Sequence, residues 1–141
     1  RRKTMHDSSH VSWRLLLASF VFLLLFSHGS QQLALADHTA GPTAVAVAGS
    51  LQDELGCPGD WQPECSVTAM TMGEDGLYVS GPFTLTAGDY EVKVALDGSW
   101  TTNYGVDGEA DGANYPFSLA ADGDVSFVYD PATNLLEIVL P

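Results

Sequence analysis

Basic side chains are nearly missing from most of this chain. After residue 36 there is no arginine and one lysine, Lys93, against 17 acids, so segment 37–141 carries a formal charge of −16. A surface of that sign repels phosphate backbones and anionic lipid, which argues against nucleic acid and membrane surfaces as partners. Histidine is as scarce: His6, His10 and His28 all precede residue 36, and only His38 follows. Without arginine, a histidine pair or a G-x-S-x-G turn, the common nucleophile and acid–base constellations lack their residues. Carboxylate pairs of the glycosidase kind carry little information among so many acids. Segment 37–141 therefore reads as noncatalytic, and any catalysis belongs to protein beyond Pro141.

Long apolar runs are missing too. The longest, residues 15–26 (LLLASFVFLLLF), has twelve residues. At about 1.5 Å per residue it covers roughly 18 Å of a hydrocarbon core about 30 Å thick, too little for a span. Arg1, Arg2, Lys3 and Arg14 precede or flank it and Ala34-Leu35-Ala36 follows, the order of a secretory signal peptide over 1–36 with cleavage before Asp37. No cysteine lies near that point, so a lipid anchor is not suggested. The expected location is extracellular or in the cell envelope, with no membrane association of the mature form. The chain opens on Arg1, with its first methionine at Met5, and its last apolar run stops at Pro141 without a polar tail, so more protein is expected to follow.

Cysteine is limited to Cys57 and Cys65. In an oxidising compartment the two are expected to pair, whereas two thiolates without a nearby histidine make a poor zinc set. The 105 residues of 37–141 suffice for one small core.

Short alternating runs fill this segment. Residues 43–48 (TAVAVA) read as a first strand, with Val45 and Val47 on one face. Ser50 with Glu54 four residues on and a stop at Gly56 suggests one helical turn, leading into CPGDWQPEC with Trp61 at its middle. Further strands are expected over 67–72, 77–86, 90–96, 115–119, 125–129 and 135–140. Leu77, Val79, Phe83 and Leu85 are expected on one face, with Gly81-Pro82 marking an edge or bulge. Residues 106–114 (VDGEADGAN) read as an exposed acidic loop. Seven short strands and almost no helix predict an all-β, immunoglobulin-like antiparallel sandwich over 37–141; a small barrel is the competing architecture.

The chain is organised around residues 88–105, GDYEVKVALDGSWTTNYG. Tyr90, Val92, Val94 and Leu96 alternate toward a core, Glu91 and Lys93 face away, and Asp97-Gly98 supplies a turn with positive φ. Ser99, Trp100, Asn103 and Tyr104 follow. Flat rings among short amides and hydroxyls suit a sugar, whose ring faces are apolar and whose edges are hydroxyls.

Taken in order, GSLQDELGCPGDWQPEC, GDYEVKVALDGSWTTNYG and GANYPFSL resemble the X25 accessory module of pullulanases and related α-glucan-active enzymes, over about Val45 to Leu136. The family is similar to starch-binding modules of outer-membrane starch-utilisation lipoproteins. The resemblance implies an immunoglobulin-like sandwich, an association with starch or pullulan, and a pullulanase-like catalytic domain downstream in the same exported polypeptide. Asp97 stands where asparagine is commoner, Tyr78 where tryptophan is frequent, and 106–112 is more acidic than usual. Some such modules serve as spacers or docking domains.

The candidate stacking residues are Trp100, Tyr104 and Trp61, and the polar ones Asn103, Lys93, Asp97 and Asn114. Each has a structural alternative: Trp100 as a lid on the strand end, Trp61 packed on the disulfide, Tyr104 as a loop anchor, Lys93 held by a carboxylate. No cofactor is implied beyond a partial calcium pattern at Asp107, Glu109 and Asp111, where the twelfth position, Ser118, lacks the carboxylate such loops need.

Overall fold

The computed structural model describes residues 41–141. The expected signal peptide, and the start of the segment expected to follow it, lie outside these residues. Among the described residues no helix is long and apolar enough to cross a membrane.

Among the described residues eight strands form two antiparallel sheets: β1 (Val45–Gly49), β2 (Thr71–Met72), β3 (Tyr78–Leu85), β4 (Gly88–Leu96), β5 (Asn103–Tyr104), β6 (Tyr115–Leu119), β7 (Gly123–Asp130) and β8 (Leu135–Val139). The first sheet is built on β4. β1 pairs along one edge, Val47 opposite Val94, while β5 and β6 share the other, Tyr104 opposite Val94 and Phe117 opposite Tyr90. The second sheet runs β2-β3-β7-β8. The sandwich is thus as expected in class, with one strand more than the seven read from the sequence. The extra one is β5, two residues long, which no run of alternating residues announces.

The alternation of β4 sets the core. Tyr90, Val92 and Val94 are buried, Glu91 is exposed and Lys93 half-buried, so a strand of period two buries one face. Val45, Val47 and Phe117 join them and meet Leu85, Val125, Phe127, Tyr129 and Leu136 of the second sheet. Tyr90 stacks on Phe117 at 5.3 Å, and Phe117 meets Phe127 edge-on at 6.0 Å, so aromatic contacts cross between the sheets.

Three local expectations fail for identifiable reasons. In β3 the register against β7 slips between Ser80 and Phe83, where Gly81 has φ 94 and the Gly81-Pro82 bond is cis. The bulge inverts the phase: Tyr78 and Ser80 are buried and Val79 exposed before it, while Phe83 and Leu85 face inward after it. The run expected as a strand over 67–72 opens instead with a 3-10 turn, Ser66–Thr68, and only Thr71–Met72 pair. Residues 50–56 form successive turns rather than a helical turn. Ser50 Oγ accepts from the backbone N–H of Glu91 at 3.0 Å, so this serine fastens the segment to β4 instead of capping a helix.

Candidate functional site

Segment 50–70 closes against β1. The N–H of Met70 donates to Val45 O at 2.8 Å, that of Trp61 donates to Gly49 O at 3.2 Å, and Ala46 bridges Ala69. All five residues of β1 are buried as a result. Cys57 and Cys65 are joined, their Cα atoms 6.0 Å apart, the pairing expected in an oxidising compartment. The cystine loop holds Trp61 at φ 58, a left-handed conformation that is uncommon for a bulky residue.

Beyond β4 the chain turns through Asp97 (φ 55) and Gly98 (φ 64), with Ser99 N–H donating to Leu96 O at 3.2 Å. Positive φ at both central positions is the twist-matched two-residue turn that Asp-Gly favours. The turn carries Trp100 out to the cystine loop, and a Cβ on Gly98 would lie 3.9 Å from Glu64. The two indoles meet there, centroids 6.3 Å apart and planes tilted by 42°. Trp100 is 37% exposed and Trp61 half-buried, so neither is sealed in the interior.

The remaining candidates are distributed unevenly around this pair. Tyr104 is half-buried and stacks on core Tyr129 at 6.4 Å, which makes it an anchor of the loop. Burial, then the neighbouring Tyr104, pushes the Tyr129 hydroxyl well above its ordinary range. Asn103 is 5% exposed, and its amide is engaged at both ends: Nδ2 donates to Trp100 O at 3.0 Å and to Asp111 Oδ1 at 2.7 Å, and Oδ1 accepts from Lys93 Nζ at 2.8 Å. Among the described residues the Lys93 ammonium thus reaches an amide oxygen, and a carboxylate only at second hand through Asn103. Asp97 Oδ1 accepts from the Thr43 hydroxyl at 2.8 Å and its N–H at 2.7 Å. Those bonds, the hydroxyl's first, hold the carboxyl below its ordinary range and tie the start of β1 to the turn. Asn114 Nδ2 donates to Glu91 Oε2 at 2.9 Å on the exposed side of β4.

The acidic loop is shaped by its own backbone. Val106–Gly108 form a 3-10 turn with Asp107 at φ 61, and Asp111 is committed to Asn103. Among the described residues the carboxylates whose oxygens converge within 4.8 Å are Asp53, Glu54 and Asp60, all exposed, rather than Asp107, Glu109 and Asp111. Desolvation, then the hydrogen bond and charge of Asp53, raises Glu54 above its ordinary range.

Sequence reasoning missed Gln52. It is wholly buried: Nε2 donates to Gln62 O at 2.9 Å and Thr68 Oγ1 at 2.8 Å, and Oε1 accepts from Gln62 N–H at 2.7 Å. The signal lay in Leu51-Gln52 next to a proline-bearing cystine loop, where turns leave backbone groups that one amide can satisfy.

The chain is similar to segments of known proteins. The chain is 35% identical over 88 residues to an amylopullulanase of Thermoanaerobacterium thermosulfurigenes and to one of Thermoanaerobacterium saccharolyticum, in each case over 62% of this chain. A solved pullulanase from Bacillus acidopullulyticus superimposes with a TM-score of 0.60 at 34% identity, over 70% of this chain. The chain spans only 5% and 7% of those amylopullulanases and 12% of that pullulanase. The model of the pullulanase X25 domain matches residues 44–136. With most of its length so matched, this chain belongs to the pullulanase X25 domain family.

Proposed function

We propose that this chain is a noncatalytic, immunoglobulin-like carbohydrate-binding module that holds starch-type α-glucan for an exported, pullulanase-like enzyme whose catalytic domain lies elsewhere in the polypeptide. The observation that carries this reading is the pair of accessible indoles, Trp61 and Trp100, 6.3 Å apart at a 42° tilt. Their faces offer the apolar surface that sugar rings stack on. The tilt bends that surface, which suits an α-1,4 chain, whose successive rings turn relative to one another, better than a flat β-1,4 ribbon. Lys93 and Asn114 are its candidate polar contacts, while Asn103, Asp97 and Tyr104 have their principal bonds inside the fold. The relatives' names, amylopullulanase and pullulanase, supply the substrate class.

A second reading has its own observation. The outer face of the second sheet exposes Val79, Leu135 and Val139, and a groove of about 570 Å³ opens between Leu77, Val128 and Leu135. An uncovered apolar face suits a spacer that docks on a neighbouring domain and binds no sugar.

Electrophoresis of the chain through amylopectin gels separates the two. The glycan-binding reading expects retardation that Trp100→Ala abolishes, a loss of about 2 kcal/mol for a central stacked aromatic. No retardation of the unaltered chain leaves the spacer.

A further inference from the structure

Both indoles sit on loops, and a loop places a side chain firmly only when its backbone is fixed from beneath. Under each lies one buried amide. Gln52 grips both the N–H and the C=O of Gln62, the residue that follows Trp61, at 2.7 and 2.9 Å. Trp61 itself is held by Gly49 O, and its φ of 58 persists only where the surroundings over-determine it. Asn103 does the same on the other side, with Nδ2 bonded to the carbonyl of Trp100. Its amide dipole lies between a cation and an anion: Oδ1 faces the Lys93 ammonium and Nδ2 the Asp111 carboxylate. Both N–H groups of Nδ2 are committed within the fold, so Asn103 has no donor left for a sugar.

We infer that Gln52 and Asn103 are paired positioning residues, which set the separation and tilt of the Trp61 and Trp100 indoles and so the curvature of glycan the platform accepts. The inference rests on the platform reading above, and the test keeps the two apart. Two coupled indoles give circular dichroism an exciton couplet that depends on their distance and angle. In the full chain it is isolated by difference against Trp61→Phe, since Trp13 contributes alike to both.

Asn103→Asp removes the donor to Trp100 O and sets a carboxylate against Asp111. Adding Asp111→Asn returns a donor between positions 103 and 111 while Trp100 O stays without one. A role limited to tying the loop to position 111 would restore the couplet in the double variant. Positioning through Trp100 keeps it below half in both variants, while the double variant recovers the thermal stability lost in the single one. Gln52→Met is expected to reduce the couplet likewise; should it fail to fold, the Asn103 pair carries the test. We expect amylopectin retardation to fall at least fivefold wherever the couplet falls. A couplet unchanged in the double variant overturns the positioning role. A couplet lost with retardation unchanged leaves that role standing and overturns the platform.

Discussion

Trp61 is a bulky residue at φ 58, where an L side chain crowds its own carbonyl at a cost of about 1–2 kcal/mol. The strain belongs to the backbone and stays when the indole is cut back to a methyl. Trp61→Gly is therefore expected to unfold less readily than Trp61→Ala, by about 1 kcal/mol in denaturant titration, the reverse of the usual order. Equal stabilities would mean that the left-handed conformation is not kept in solution. Asp97 gives a pH dependence at the same scale. The Thr43 hydroxyl and N–H hold its folded carboxyl below the ordinary range. That contribution is fully present above the unfolded value of about 4 and is lost as pH falls through the depressed folded value. Asp97→Asn should lower the melting temperature at neutral pH and flatten its decline below about pH 4. A decline as steep as in the unaltered chain would remove Asp97 from the acid limb.

The cystine loop is the element on which the site depends. Opening it frees a nine-residue loop in the unfolded chain, worth roughly 2–3 kcal/mol in the chain-entropy treatment. Joint replacement of Cys57 and Cys65 by alanine should cost that much stability and also weaken amylopectin retardation, since the loop carries Trp61. In β3, a Cβ on Gly81 would meet Val125 O at 2.7 Å, with φ at 94. Gly81→Ala should cost more than about 1 kcal/mol by thermal unfolding, with glucan binding spared because the bulge is in the other sheet. What could be read in advance follows the same division. Tyr90, Val92 and Val94 alternate without interruption, so β4 and its buried face were legible, as were the Asp97-Gly98 turn and the pairing of two isolated cysteines. The faces of Tyr78 and Val79 were not, because one bulge residue inverts the phase of every residue before it. Nor was Asn103: an amide close to a tryptophan suits a sugar contact, and only the fold brings Trp100 O and Asp111 to its Nδ2 donors and Lys93 to its Oδ1. Gln52 was hidden because its closest partners, the Gln62 backbone and the Thr68 hydroxyl, meet it only in the fold.

The charge of the whole molecule bears on stability and ligand choice together. Segment 37–141 holds 17 acids and one lysine, so the fold carries self-repulsion that added salt screens over a length of about 10 Å at 0.1 M. The melting temperature should rise between low salt and 0.5 M, while binding to a neutral glucan stays nearly constant. Retardation by an anionic polysaccharide is not expected at any salt. Two regions of the surface differ: the cystine loop and the stretch after the Asp97-Gly98 turn carry the indole pair, and the outer face of the second sheet carries the apolar residues Val79, Leu135 and Val139. The proposed glycan site is the first. Its most direct test is calorimetric titration of the full chain with a linear maltooligosaccharide and with a cello-oligosaccharide of equal length, repeated on Trp100→Ala. We expect heat of binding for the α-linked chain alone, lost in Trp100→Ala with the melting temperature unchanged. Binding that survives Trp100→Ala, or a chain that takes up neither sugar, would contradict it.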